Sequence, residues 1–166
     1  MAPRVVLVGA PGAGKTTVGA LVAARLGVGF RDTDHDVEEA VGKSVADVFL
    51  EDGEEAFRRA ESDAVRAALA EHAGVLALGG GAVLSPDTRR LLRGQTVVHL
   101  EIGLADAAAR VGFARARPVL ALNPRAQLKV LLDQRAPLYA EVATAVVPTD
   151  GLDPQSVADA VVEVIS

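Results

Sequence analysis

The chain has 166 residues, half of them hydrophobic, which suits one compact domain built on a single core. It contains no cysteine, so disulfides and thiolate metal sites are excluded. A formal charge of −5 argues against nucleic-acid binding through bulk positive charge, and no apolar stretch approaches the roughly 18 residues of a membrane span.

Taken in chain order, the first element is a strand over "RVVLV" (4–8), whose continuous apolar character marks burial on both faces. The apolar run is too short for a signal peptide, and the expected location is the cytoplasm. Val18, Leu21, Val22 and Leu26 then fall at helical spacing over 16–26. "GVGFRDTD" (27–34) is a weaker strand candidate that runs into two aspartates, followed by a helix over 35–41. Phe57, Ala60, Ala64, Ala68 and Leu69 give a helix over 54–70. "GVLAL" (74–78), "TVVHLEI" (96–102) and "TAVVP" (144–148) are further buried strands, and Val157, Val161, Val162 and Ile165 mark a last helix. Residues 112–124, "GFARARPVLALNP", have no clear period. Strands alternating with helices predict an α/β fold with a parallel sheet, without repeat or linker.

Between the first strand and the first helix lies Gly9-x-x-x-x-Gly14-Lys15-Thr16, a complete phosphate-binding loop. Its glycines let backbone N–H groups turn toward phosphate oxygens, and the following helix adds the partial positive charge of its N-terminus. Lys15 can reach the β- and γ-phosphates, and the Thr16 hydroxyl can ligate Mg²⁺. The chain is therefore expected to bind a nucleoside triphosphate.

Asp32 and Asp34 follow the second strand, at the sheet edge where ligands bind in open α/β folds. Phosphoryl transfer to an alcohol needs one carboxylate to accept the hydroxyl proton and others to hold the water shell of magnesium. The competing reading is plain capping of the next helix by Asp32, Thr33 or Asp34. With 14 arginines against 3 lysines and abundant alanine, an arginine is read as functional only from its placement.

With these residues in hand, the chain resembles shikimate kinase nearly end to end. The resemblance rests on "GAPGAGKTT", "DTD" at 32–34, "FRRAE" at 57–61, "LGGGAV" at 78–83, "RPVL" at 117–120 and "RAPLY" at 135–139, in order and near the family's spacing. It implies a P-loop NTPase fold of nucleoside-monophosphate-kinase type over residues 1–166. In that fold a five-stranded parallel sheet is flanked by helices, a substrate-binding region spans about 33–61, and a mobile lid spans about 112–124. The implied reaction moves the γ-phosphate of ATP to the 3-hydroxyl of shikimate.

By that resemblance Gly12, Ala13, Gly14, Lys15, Thr16 and Thr17 would hold the phosphates, with Thr16 on magnesium and Asp32 contacting it through water. Asp34 would bind shikimate hydroxyls and act near the attacking oxygen. Arg58 and Arg135 would clasp the carboxylate, for which a guanidinium is the bidentate match. Gly79, Gly80 and Gly81 would lay backbone against the substrate. Arg117 would reach the phosphates from the lid, with Arg115 beside it, while Arg110 and Pro154 would border adenine. Phe49 and Phe57 would wall the carbocycle, a role that competes with ordinary core packing. Arg59, about 100° around the helix from Arg58, would face away.

The chain departs from the family at Ala77, where relatives often carry Ser or Thr, and in the loop "PTDGLDP", which has no arginine. His99 is read as packing. The alternative within the fold is another small-molecule kinase such as a gluconate kinase; nucleoside monophosphates would call for a different arginine pattern. A silent nucleotide-binding module would not need two carboxylates and two arginines around the acceptor. The expected partners are ATP and shikimate, with no nucleic acid or membrane, and the expected state is a monomer.

Overall fold

The computed structural model describes residues 2–112 and 124–166. Among them, β1 (Val5–Val8), β2 (Phe30–Asp32), β3 (Val75–Ala77), β4 (Val97–Glu101) and β5 (Ala145–Pro148) form one parallel sheet in the order β2-β3-β1-β4-β5. The described helices are α1 (Lys15–Leu26), α2 (Thr33–Val41), α3 (Val45–Asp52), α4 (Glu54–Glu71), α5 (Pro86–Leu91), α6 (Leu104–Gly112), α7 (Pro124–Val142) and α8 (Pro154–Ile165). Because every strand runs the same way, the phosphate loop after β1, the aspartates after β2 and the glycines after β3 emerge at one edge.

The apolar runs are continuous because both faces of the sheet are covered. Val5, Leu7, Val75, Val98 and Leu100 pack with Val18 and Val22 of α1 and Val157 and Val161 of α8. Val6, Val8, Leu76 and Val97 pack with Val65 of α4 and with Tyr139 and Val142 of α7. A third small cluster, Val37, Val48 and Phe57, binds α2, α3 and α4 into a separate region at the site edge.

Two expectations shift. The second strand is only Phe30–Asp32, and α2 starts at Thr33 rather than 35, because the Asp32 side chain accepts from Asp34 N–H and ends the strand as a helix cap. Asp34 is therefore in the first turn of a helix. The short helices α3 and α5, and the longer α6 and α7, were not legible as periodic runs. Of the expected lid, only Gly112 and Pro124 fall in described helices; residues 113–123, with Arg115, Arg117 and Pro118, lie outside the described residues.

Candidate active site

A cavity of about 360 Å³ opens at the shared sheet edge. One wall is the phosphate loop with Gly12, Gly14, Lys15, Thr16 and Thr17; the other carries Asp34, Phe49, Arg58 and Arg135. Asp32, Glu61, Gly80 and Gly81 lie between them. Most residues singled out from the sequence are thus brought together by the topology alone.

The loop is built for an anion. Gly14 adopts φ 89°, and no side chain caps α1, so the helix N-terminus is presented to the loop. Lys15 Nζ folds over the loop and donates to the carbonyls of Gly9 (2.7 Å) and Ala10 (3.1 Å). Ala13 is buried beneath it, and its N–H closes a turn onto the Ala10 carbonyl. Ala13 is the one residue of the expected phosphate-binding run 12–17 that is not among the cavity-lining residues.

Asp32 caps α2, as one of its two readings expected, and also reaches the phosphate loop. One carboxylate oxygen caps α2 through Asp34 N–H, and the other accepts from the Thr16 hydroxyl at 2.9 Å. No group of three or more His, Cys, Asp or Glu able to hold a metal occurs among the described residues. The Thr16–Asp32 pair instead fits a magnesium ion that takes its remaining ligands from phosphate oxygens and water, the ordinary coordination of that ion.

Arg58 lines the cavity. Its guanidinium donates to Glu61 at 2.8 Å and lies 5.2 Å and 5.8 Å from the ring centroids of Phe57 and Phe49. Phe57 is buried and Phe49 exposed; both line the cavity, and Phe57 also belongs to the cluster with Val37 and Val48. Arg59 points out, 68% exposed, and pairs with the solvated Glu55. Glu61 was not anticipated, although three residues after Arg58 it must share that helix face. It is 3% exposed, and burial pushes its carboxyl above the ordinary range, against the opposing charge of Arg58.

The three glycines owe their identity to close approach rather than to unusual backbone. A Cβ on Gly79 would lie 2.5 Å from an Asp34 oxygen and 2.7 Å from a Glu61 oxygen. On Gly80 it would meet Pro11 of the phosphate loop at 2.8 Å, and on Gly81 the Arg58 guanidinium at 2.4 Å. Gly81→Ala is accordingly expected to push the mobile tip of Arg58 aside and to lower kcat/KM for the acceptor by up to about 10²-fold, as small misplacements do. Because the displaced guanidinium also pairs with buried Glu61, its melting temperature should fall modestly, less than that of Gly74→Ala. Gly74→Ala should lose chiefly stability, since its Cβ would meet the Gly29 carbonyl at 2.1 Å and backbone must yield. Thermal melts and kinetics on both variants check this.

Other residues fall elsewhere. Pro154 is the first residue of α8, exposed, and outside the cavity lining. Arg110 belongs to α6, but its side chain lies outside the described residues. His99 stacks on Tyr139 with ring centroids 4.7 Å apart, in keeping with packing, and burial holds its imidazole below the ordinary range.

The sequence model of the family described as shikimate kinase matches residues 11–166. A shikimate kinase of Saccharopolyspora erythraea is 59% identical over 164 residues, covering 98% of this chain and 94% of its own. One of Frankia casuarinae is 63% identical, covering 93% of this chain and 69% of its own. Among solved structures, the Acinetobacter baumannii shikimate kinase in complex with shikimate superposes with TM-score 0.93 at 35% identity, over 99% of this chain and 93% of that one. The Bacteroides thetaiotaomicron shikimate kinase gives 0.87 at 29% identity, covering 99% and 98%.

Proposed function

The chain belongs to the shikimate kinase family, and from that premise we propose how its cavity carries out the reaction. The activity is that of an ATP-dependent kinase, moving the γ-phosphate of ATP to the 3-hydroxyl of shikimate. What supports the residue roles is one observation: Asp34, Arg58 and Arg135 line the same cavity as the phosphate loop.

In this reading shikimate lies with its carboxylate between Arg58 and Arg135 and its hydroxyls toward Asp34. Arg58 is held for that task by Glu61 and by the two phenyl rings. Gly79 spends its N–H on the Thr33 hydroxyl, so the amides of Gly80 and Gly81 are the donors the strip offers substrate. Asp34 accepts the proton of the attacking hydroxyl as the bond to phosphorus forms. Lys15 and the N-terminus of α1 meet the charge that builds on the transferring phosphoryl group. Magnesium, held through Thr16 and, by water, Asp32, would neutralise the phosphate oxygens when bound. A single domain acting as a cytoplasmic monomer completes the proposal.

The test is ADP release coupled to a spectrophotometric readout. Turnover should require shikimate and Mg²⁺ and be minor on gluconate or nucleoside monophosphates; equal turnover on gluconate would contradict the substrate roles given to these residues. Lys15→Ala should keep the native circular dichroism spectrum and lose about 10²–10³-fold in kcat, the usual scale for removing one preorganised charge donor. Unchanged turnover would remove Lys15 from the chemistry.

A further inference from the structure

Gly79 and Gly80 have no side chains, so the hydrogen bonds that fix where they sit are made by their N–H and C=O groups. Two buried hydroxyls reach them, one from α2 and one from α7. Thr33, fully buried between Asp32 and Asp34 at the start of α2, accepts from Gly79 N–H through Oγ1 at 3.3 Å. Tyr139, 3% exposed on α7, donates its hydroxyl to the Gly80 carbonyl. Each hydroxyl is joined to a proposed substrate group: Thr33 directly precedes Asp34, and Tyr139 lies one helical turn after Arg135, whose side chain its hydroxyl also meets. The strip also carries the empty space that Asp34, Glu61 and Arg58 use, since Cβ atoms on Gly79 and Gly81 would strike them. Shifting the strip by a fraction of an ångström therefore alters the room for all three.

We propose that Thr33 and Tyr139 are positioning residues, two hydroxyl latches that hold the α2 and α7 walls of the acceptor site in register with the glycine strip. The proposal rests on the substrate roles given above and adds what sets the spacing between them. A mere packing role would look different. The Tyr139 ring already has its contacts in the core and its stack on His99, and neither needs the hydroxyl. Thr33 is not the capping residue of α2, which is Asp32. Removing the Thr33 hydroxyl leaves the buried Gly79 N–H without its partner, and removing the Tyr139 hydroxyl frees the part-buried Gly80 carbonyl to turn toward the cavity, so either change lets the strip move. The phosphate loop is anchored by β1 and α1 and meets the strip where Pro11 lies against Gly80, away from both hydroxyls.

The experiment is steady-state kinetics against both substrates, with thermal melts, on Thr33→Val, Thr33→Ser and Tyr139→Phe in the full chain. Thr33→Val and Tyr139→Phe should each raise the KM for shikimate about tenfold, while the KM for ATP stays unchanged. Thr33→Ser, which keeps the hydroxyl, should stay within about twofold of the parent. The latch is overturned if both KM values move together, or if the melting temperature falls while the KM for shikimate does not move. Should Thr33→Val fail to fold, Tyr139→Phe, which retains the whole ring, carries the test, and an unmoved KM for shikimate there overturns the latch. Loss of shikimate-dependent turnover in the unaltered protein would strike the underlying site assignment, whereas normal turnover with unmoved variants would strike the latch only.

Discussion

Asp34→Asn is expected to lower turnover by about 10²–10⁴-fold, the range for losing a general base, while shikimate affinity falls much less. The amide keeps the shape of the carboxylate and much of its hydrogen bonding, but it cannot take the proton of the attacking hydroxyl. The surroundings sharpen the expectation. Asp34 sits in the first turn of α2, where the helix N-terminus favours its negative charge. It is also close enough to Glu61 that its charge adds to the burial that raises the Glu61 carboxyl, while Arg58 opposes both. In the proposed reading the two carboxyls carry distinct duties, Glu61 gripping Arg58 and Asp34 facing the acceptor. Steady-state kinetics with a thermal melt on Asp34→Asn checks this. An equal loss in binding and turnover would make Asp34 a binding group without a part in proton transfer.

Much of this site could be read before the fold was known, for particular reasons. The phosphate loop is a local pattern whose glycines, lysine and threonine lie within one strand-to-helix turn, so no tertiary information was needed. Arg58 and Arg59 were separable by helix phase, and the exposures of 24% and 68% follow it. The continuous apolar strands announced a covered parallel sheet. The two aspartates were placed at the right edge, although α2 begins earlier than its periodicity suggested because Asp32 caps it.

What stayed hidden depended on distant parts of the chain. Glu61 stands in plain view three residues from Arg58, but an acidic residue in an acidic helix gives no sign of being buried until Gly79 is packed over it. The Tyr139 hydroxyl meets a carbonyl 59 residues away. Helix α7 runs through Pro137, a residue that ordinarily argues against a helix interior, so its length could not be read from pattern. Helix α3 is only eight residues and is cut by Gly53, too short for periodicity to register.

The second large effect concerns the arginines. Arg58→Ala and Arg135→Ala should each weaken shikimate binding by about 2–5 kcal/mol, the range for truncating one member of a desolvated charge pair. Together they should cost less than the sum of the singles, because they share one carboxylate. Arg58→Ala also leaves Glu61 buried without its cation, so it should melt lower than Arg135→Ala. ATP binding should barely change in either, since neither arginine is placed on phosphate. Calorimetric titration of shikimate into Arg58→Ala, Arg135→Ala and the outward-facing control Arg59→Ala tests the account most directly. The account predicts that the first two lose affinity and the control binds as the parent does. Loss of binding in Arg59→Ala with binding retained in Arg58→Ala would contradict it, because the acceptor would then lie on the other face of α4.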